Sequence, residues 1–316
     1  SKSKDLPHLI FFGPSGSGKT TRVNTILKSM YGDAIDKVKI ESRAFTTPSN
    51  KKLEIDVISS QYHLEMNPSD LGIHDKFVIQ SLIKEIAQSQ SVDVNAPTKF
   101  KVIVISQADN LSKEAQQALR RTMEKYMSNL RLILIGESVN NLIGPIKSRC
   151  FMIRVPRPQP EEIAAVLHDV AKAEELELPA ELTEKIVSQS QRDLRKALLV
   201  LQALSSQNTN LLPSTNVPVP DWERMVFHIC SEITKEQTPK KLLEIRTQLY
   251  ELISKCIPPK TIIKMLTLNL INMVEDDIKF DILKHAAEYE YRLTIGSKAI
   301  FHLEAYIAKL MSIYKR

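Results

Sequence analysis

Eight residues near the start of the sequence have the types and the spacing of a phosphate-binding loop. They read Gly-Pro-Ser-Gly-Ser-Gly-Lys-Thr, from Gly13 to Thr20, and end in the Gly-Lys-Thr that such loops require. Glycines let backbone N–H groups turn toward an anion, Lys19 adds a positive charge, and the Thr20 hydroxyl is a ligand for Mg²⁺. The loop follows an apolar run and opens a helical pattern. The predicted ligand is ATP or ADP, and the predicted nucleotide-binding residues are Gly13, Pro14, Ser15, Gly16, Ser17, Gly18, Lys19, Thr20 and Thr21.

The second half of an ATPase site is altered in this sequence. P-loop ATPases place an Asp for Mg²⁺ after a second strand, and many add a Glu that activates water. The apolar run Val102 to Ile105 is followed instead by Ser106 and Gln107. Serine brings no negative charge and glutamine accepts no proton, so this degenerate Walker B segment predicts weakened Mg²⁺ binding and slow hydrolysis, since base catalysis contributes ~10²–10⁴-fold.

Asp109, three residues after Ser106, is predicted to be structural and to anchor a turn before a helix cap at Asn110 or Ser112. The alternative is that the true acidic residue follows a different strand. No other apolar run of this region ends in Asp-Glu, which favours the first interpretation.

The elements that must position these residues follow from the pattern of apolar residues. Four short apolar runs, which predict strands, alternate with segments of helical period, and buried strands with helices between them indicate a parallel α/β sheet. The runs are His8 to Phe12, Phe100 to Ile105, Leu130 to Ile135 and Phe151 to Val155. Three prolines from Pro156 to Pro160 mark a boundary, helical segments follow, and a polar loop from Ser205 to Pro220 precedes a purely helical region. The predicted domains are therefore 1–155, 156–220 and 221–316.

Composition sets broad limits on function. The 316 residues carry a net charge of +6, and residues 1–155 hold the basic excess, with 22 Lys and Arg against 15 Asp and Glu. This excess is compatible with a phosphate-rich partner such as nucleic acid. No apolar run approaches the ~18 residues that span a bilayer, so no membrane partner is expected. The three cysteines fit neither a zinc site nor a disulfide framework.

Several stretches resemble one protein family. Ala115 to Tyr126 resembles the helix that follows the second ATPase strand in replication factor C small subunits. Ser148-Arg149-Cys150 resembles the arginine-finger signature of that family, and Asp193 to Ala197 resembles its second sensor helix. Other stretches are similar to one paralogous branch, namely Thr46 to Ser49, Tyr62 to Asp70 and Gly296 to Ala305.

The resemblance implies an architecture and a role. It implies an AAA+ P-loop domain with a RecA-like sheet, then a small helical lid and an all-α collar that joins five subunits. It further implies a heteropentamer of replication factor C subunits in the nucleus, which opens the sliding clamp, proliferating cell nuclear antigen, and loads it on primer–template DNA. The resemblance also allows this chain to assemble with alternative clamp-loader large subunits.

The resemblance also assigns roles to individual residues. Arg149 is implied to be an arginine finger that acts in trans on the nucleotide of a neighbouring subunit, the alternative being an ordinary interface arginine. Glu137 falls at the first-sensor position, where its charge would repel a γ-phosphate. Arg195 falls at the second sensor, although a salt bridge between lid and core is the alternative.

Lys76 and Lys113 lie near predicted helix N-termini. The helix dipole and the lysine charge at such a place both favour a DNA phosphate. The alternative is that both are ordinary exposed lysines. The Arg120–Arg121 pair could instead bridge to a neighbouring subunit, and the sequence does not decide between these uses.

Three hypotheses follow for the whole chain. The first is a clamp-loader subunit that binds nucleotide, hydrolyses it poorly and donates Arg149. The second is an autonomous P-loop ATPase such as a DNA-dependent remodeller or a helicase loader. The third is a structural adaptor that does not need nucleotide. Turnover by the isolated chain separates the first two, and Lys19→Ala tests the third.

Overall fold

The structure is a computed structural model that describes residues 6–46, 52–88, 100–126, 129–207 and 211–315. The chain divides into two compact units, Ser1–Val217 and Pro218–Arg316. The first unit contains a sheet with helices on both faces and a small helical group, and the described part of the second unit is helical.

A seven-stranded sheet forms the centre of the first unit. Its strands are β1 Leu9–Phe12, β2 Lys39–Thr46, β3 Lys52–Ser59, β4 His63–Met66, β5 Lys101–Ile105, β6 Leu130–Gly136 and β7 Phe151–Arg154. Their order across the sheet is β2-β3-β4-β5-β6-β1-β7. All pairs from β4 to β7 are parallel, whereas β2–β3 and β3–β4 are antiparallel. Parallel strands present their carboxyl ends at one edge, where loops collect around a ligand.

Helices cover both faces of the sheet. In this part they are α1 Lys19–Tyr31, α2 Asp75–Gln88, α3 Lys113–Lys125 and the single turn α4 Gly144–Lys147. One face packs Val102 and Val104 with Val23 and Leu27 of α1. The other face packs against α2 and α3. Because both faces are covered, the last four residues of β5 are all buried and read as an unbroken apolar run.

Three helices after the sheet form a group with its own core. They are α5 Pro160–Ala173, α6 Ala180–Ser190 and α7 Leu194–Gln207. Ile163, Leu182 and Leu204, one from each helix, are fully buried in a shared cluster. The start of α5 is fixed by Glu162, whose carboxylate accepts the backbone N–H of Gln159 at 2.8 Å. This is the capping arrangement that stabilises the first turn of a helix.

The second unit consists of five described helices. They are α8 Asp221–Lys235, α9 Pro239–Ser254, α10 Pro259–Met273, α11 Asp276–Ile295 and α12 Ala299–Tyr314. Their core includes Tyr306, whose hydroxyl contacts Thr267 Oγ1 at 2.8 Å. α11 differs from its neighbours because it buries only Ile282 fully and leaves a stripe of large apolar side chains exposed. This α11 stripe consists of Phe280, Leu283, Tyr291 and Ile295.

The structure confirms the predicted α/β class and all four predicted strands to within one residue at each end. It also adds what the sequence did not predict, since β2, β3 and β4 extend the sheet with antiparallel pairing. The sheet is therefore mixed rather than purely parallel. The polar loop expected from Ser205 begins later, because α7 continues through Gln207. No helix among the described residues is both long enough and apolar enough to cross a membrane.

Candidate nucleotide site

The phosphate loop joins the end of β1 to the start of α1. Gly16 and Gly18 have φ of +67° and +81°, in the left-handed region that favours glycine. A Cβ at Gly16 would also collide with the carboxylate of Asp193. Ser17 closes the loop by donating its hydroxyl to Pro14 O at 2.8 Å. Both glycines are therefore needed for the backbone turn, and Gly16 also for the close approach of Asp193.

Lys19 lies at the first position of α1 and points back into the loop. Its Nζ donates to Gly13 O at 2.7 Å and to Pro14 O at 2.8 Å. Burial lowers the pKa of Lys19 below its ordinary value, while the charges of Glu137 and Asp109 act in the opposite direction. An ammonium so placed, beside backbone N–H groups at a helix N-terminus, has the chemistry to meet a phosphate.

A cavity of about 430 Å³ lies over this loop. Four regions that are far apart in the sequence line it together. The phosphate loop contributes Ser15, Gly16, Lys19 and Thr20, and the segment after β5 contributes Ser106, Gln107, Asp109 and Asn110. The end of β6 contributes Ile135, Gly136 and Glu137, and α7 contributes Arg195. The structure thus brings together the predicted loop, the degenerate segment and both predicted sensor positions. The loop and the lysine fit a nucleotide phosphate, and the lining residue Thr20 carries the hydroxyl that would ligate a Mg²⁺ bound with it.

Ser106, the residue predicted from the sequence to replace a metal-binding Asp, follows β5 directly and lines the cavity. Side chains alternate along a strand, so Ser106 and Glu137 project from the face that carries α1. Glu65 of β4 projects from the same face, and Ser106 Oγ donates to its Oε1 at 3.1 Å. Gln107 accepts at Oε1 from Asn110 Nδ2 at 3.3 Å. No acid stands at positions 106 and 107 themselves, but a carboxylate from the next strand contacts the first of them.

Asp109 braces the end of β6. Its Oδ2 accepts the backbone N–H groups of Glu137 at 3.1 Å and Ser138 at 3.3 Å. A Cβ at Gly136 would lie 2.9 Å from Asp109 Oδ1, so a larger residue there would have to displace this carboxylate. The turn that Asp109 holds is therefore the one after β6 and not the predicted turn before a helix cap, and Asp109 also lines the cavity. The predicted helix cap is Ser112, whose Oγ accepts the Ala115 N–H at 3.1 Å.

The third helix after the sheet touches the phosphate loop directly. The backbone N–H of Leu194, the first residue of α7, donates to Gly16 O at 3.2 Å. Asp193 precedes α7 and accepts the Lys196 N–H at 3.0 Å. Arg195 lines the cavity, and its charge contributes to lowering the pKa of Lys19. The helix therefore places a guanidinium beside the lysine that would hold the phosphates.

Arg149 lies far from this cavity. It precedes β7 by two residues, and the first residue of β7, Phe151, pairs with Leu9 at the start of β1. The phosphate loop follows Phe12 at the other end of β1, roughly 13 Å away at ~3.3 Å per residue. Arg149 Nη2 contacts Glu124 Oε1 at 2.6 Å and Nη1 donates to Pro145 O at 2.9 Å. The sheet thus separates Arg149 from the chain's own nucleotide loop.

Lys76 and Lys113 begin two neighbouring helices. The link between the helices is Asp75, which is 1% exposed. Its carboxylate accepts the Ser112 backbone N–H at 2.7 Å and the Ser112 hydroxyl at 2.8 Å. Both lysines therefore belong to the first turns of helices whose N-termini are tied together.

Two buried polar residues of this region were missed by the sequence analysis, namely Asp75 and Gln116. Gln116, 1% exposed in α3, donates from Nε2 to Leu111 O at 3.0 Å and to Asn141 O at 3.1 Å. Its Oε1 accepts the Ile143 N–H at 2.8 Å. Gln116 thus fastens α3 to the loop between β6 and α4. A polar residue at an apolar position of the α3 pattern was the one available signal.

Cys150 lies beside Arg149 and is buried. Burial raises the pKa of the Cys150 thiol to about 12, so this residue beside Arg149 is not a nucleophile at neutral pH. Among the residues that the structure describes, no group of three or more His, Cys, Asp or Glu could hold a metal ion.

The mixed sheet, its phosphate loop and the helices that follow it define an AAA+ P-loop domain with a helical lid. Comparison with known families agrees. Residues 165–206 match the family described as RCF1/5-like, AAA+ ATPase lid domain, and residues 222–316 match Replication factor C subunit 3, C-terminal domain. Residues 2–159 match DNA polymerase III, delta subunit. The chain belongs to the replication factor C subunit family.

Relatives along the full length carry the names of one branch of that family. Replication factor C subunit 5 of Neurospora crassa is 48% identical over 100% of this chain and 90% of that protein. Replication factor C subunit 3 of Homo sapiens is 47% identical over 99% of this chain and 88% of that protein. The paralogous branch that the sequence motifs indicated, subunit 3 or subunit 5 depending on the organism, is therefore confirmed.

Solved structures with the same fold include RuvB of Thermotoga maritima, described as a Holliday junction branch migration motor. It superposes with a TM-score of 0.50 over 72% of this chain and 69% of that chain, at 14% identity. At this identity the likeness shows the fold alone.

Proposed function

We propose that this chain is the subunit of a clamp loader that binds ATP or ADP, hydrolyses it poorly and donates Arg149 to a neighbouring subunit. The loader uses ATP to open the sliding clamp, proliferating cell nuclear antigen, and to load it on primer–template DNA in the nucleus. The roles expected of the family are here assigned to individual residues of this chain. One observation carries the proposal, namely that Lys19 of the phosphate loop, Ser106 and Gln107 line one cavity. The proposal takes Ser106 and Gln107 to stand at the two positions where a P-loop ATPase carries its acidic pair.

Poor hydrolysis follows from the contents of the cavity. A Mg²⁺ ion held by Thr20 and the phosphates gains no charged ligand from Ser106, and Gln107 does not take a proton from water. Glu137 adds a negative charge within reach of Lys19, close to where a γ-phosphate would extend. The site is therefore suited to hold a nucleotide and poorly suited to cleave it.

The trans role of Arg149 follows from its place at the opposite edge of the sheet from the phosphate loop. A guanidinium meets phosphate oxygens through several N–H groups and keeps its charge at every physiological pH. Since Arg149 does not reach its own nucleotide, the phosphate it serves belongs to another subunit. An arginine finger contributes ~10³–10⁵ in rate.

Assembly with other subunits is assigned to the helices at the end of the chain. We divide the chain into an ATPase domain at 1–155, a lid at 156–220 and a collar at 221–316, and we assign to the collar the joining of five different replication factor C subunits. The α11 stripe gives it an exposed apolar surface for this purpose. Alternative large subunits are compatible with the same surface.

DNA contact is assigned to the paired helix starts. Lys76 and Lys113 present positive charge at two N-termini held together by Asp75, an arrangement suited to backbone phosphates. Such contacts are independent of sequence and weaken with salt. Lys76→Ala and Lys113→Ala are therefore expected to weaken DNA binding by the complex to a similar degree on all sequences.

The proposal is tested on the isolated chain and on the complex. The isolated chain should bind fluorescent ATP and ADP analogues with almost no turnover, and Lys19→Ala should abolish binding. In the reconstituted complex, Arg149→Ala should leave nucleotide binding by this chain intact while lowering the DNA-stimulated ATPase rate. Brisk, DNA-stimulated hydrolysis by the isolated chain would show an autonomous ATPase instead. Unharmed loading with Lys19→Ala would show an adaptor.

A further inference from the structure

Arg149 is not a freely moving side chain. Its Nη2 contacts Glu124 Oε1 at 2.6 Å, and its Nη1 donates to Pro145 O at 2.9 Å and to Ser148 Oγ at 3.4 Å. Glu124 lies in the last turn of α3, and Pro145 lies in α4. The guanidinium is thus fixed between two elements while its side chain stays 35% exposed. A guanidinium has more N–H donors than these three contacts use, so some remain for a phosphate.

The same carboxylate oxygen serves a second arginine. Glu124 Oε1 also accepts from Arg120 Nε at 3.3 Å. The three side chains together carry two positive charges and one negative charge. The cluster consequently keeps a net positive charge toward an approaching phosphate, which a one-to-one pair of Arg149 with Glu124 would not. The hydrogen bond from Arg120 and the charge of Arg149 hold the pKa of Glu124 below its usual value, so the carboxylate is ionised at neutral pH.

We propose that Glu124 is a positioning residue that holds Arg149 in the geometry needed to reach the phosphates of the neighbouring subunit's nucleotide. The inference rests on the proposed function, because it gives Glu124 a role only through Arg149. Long side chains lose conformational freedom when a ligand orders them, and a preformed contact removes part of that loss. On this proposal Glu124 orders the arginine for its ligand and does not act as a brake that sequesters it.

The size of the effect follows from that ordering. When Arg149 must be ordered during the reaction, the free-energy cost of ordering one long side chain lowers the rate of ATP hydrolysis by about 2- to 12-fold. Loss of Glu124 should accordingly lower the rate far less than loss of the arginine itself, which is worth ~10³–10⁵. A small effect on kcat, with an unchanged KM for ATP, is the signature expected of a residue that acts through Arg149.

The experiment is a double-mutant cycle in the reconstituted complex with DNA and the clamp, measuring steady-state ATP hydrolysis for Arg149→Ala, Glu124→Ala and the two together. Glu124→Ala should lower kcat by about 2- to 12-fold with KM unchanged, and should have no further effect once Arg149 is absent. Glu124→Gln should recover part of the rate, because its amide oxygen accepts the same bonds. Asp36→Ala, which breaks a comparable exposed contact with Lys28 of α1 at 2.7 Å, is the matched control and should change nothing.

Each other outcome overturns a defined statement. An equal loss of rate from Glu124→Ala with and without Arg149 would show a general structural role and refute the positioning role. A faster rate for Glu124→Ala would show a brake. If Arg149→Ala alone leaves the rate unchanged, the trans role of Arg149 fails and the inference fails with it. If Arg149→Ala slows the complex but Glu124→Ala does not, only the inference fails. Where Glu124→Ala does not fold, Glu124→Gln in the same cycle gives the answer.

Discussion

Restoring the acidic pair should restore hydrolysis only if Glu65 is also changed. In Ser106→Asp/Gln107→Glu, the new carboxylate at position 106 would stand where Ser106 Oγ now contacts Glu65 Oε1 at 3.1 Å. Two unit charges at that separation repel by roughly 5 kcal/mol at an effective dielectric of ~20, before screening at this half-buried position lowers the value. We therefore expect the double variant to gain little.

Adding Glu65→Gln removes this repulsion. The triple variant should then hydrolyse ATP about 10²-fold faster than the unmodified chain, at the low end of the ~10²–10⁴-fold range for base catalysis, because no neighbouring arginine is present. The assay is single-turnover hydrolysis of radiolabelled ATP by the isolated chain with Mg²⁺. Ser106→Asn in place of Ser106→Asp is the matched uncharged control, and a further Lys19→Ala should abolish any gain. A triple variant that binds ATP and Mg²⁺ normally yet stays as slow as the unmodified chain would refute the reasoning.

Three further outcomes are expected. Asp75→Ala should lower the free energy of unfolding by about 3–6 kcal/mol in urea titrations, because two hydrogen bonds to a buried charge are lost. Ser112→Ala should lower it by about 1–2 kcal/mol. Equal losses from the two variants would contradict the role given to Asp75. Burial lowers the pKa of His8 to about 4, so the neutral imidazole stabilises the fold fully above pH 6.5. The free energy of unfolding should fall by about 3 kcal/mol as the pH drops from 6.5 to 4, and His8→Gln should flatten this dependence on pH. Tyr291→Lys and Phe280→Lys should abolish co-purification with other replication factor C subunits while shifting the isolated chain's free energy of unfolding by less than about 0.5 kcal/mol; retained assembly would exclude the α11 stripe.

The sequence was sufficient for the parts of the fold that depend on local pattern. Strands such as β5 are buried on both faces, so their unbroken apolar runs stand out, and the phosphate loop is specified by residue types that few other structures need. β2 could not be recognised in this way. It carries charged and polar side chains at many positions and belongs to the sheet only through its pairing with β3.

The contacts of the site were harder to predict because they join residues far apart in the chain. Glu65 meets Ser106 only because β4 and β5 are neighbours, and Asp75 meets Ser112 only because two helix starts are adjacent. Gln116 shows the same limitation, since its partners Asn141 and Ile143 lie in a later loop. Periodicity places each residue on an element, but it does not specify which element will lie beside it.

Arg149 lies at the amino ends of the strands and the phosphate loop at their carboxyl ends, and this arrangement restricts how copies of this architecture can associate. A contact that joins the amino edge of one sheet to the carboxyl edge of the next uses two different surfaces, so it is heterologous. Such contacts do not close into a pair related by a twofold axis. They propagate in one direction, as a closed ring or as an open helix, and each member has a donor side and an acceptor side.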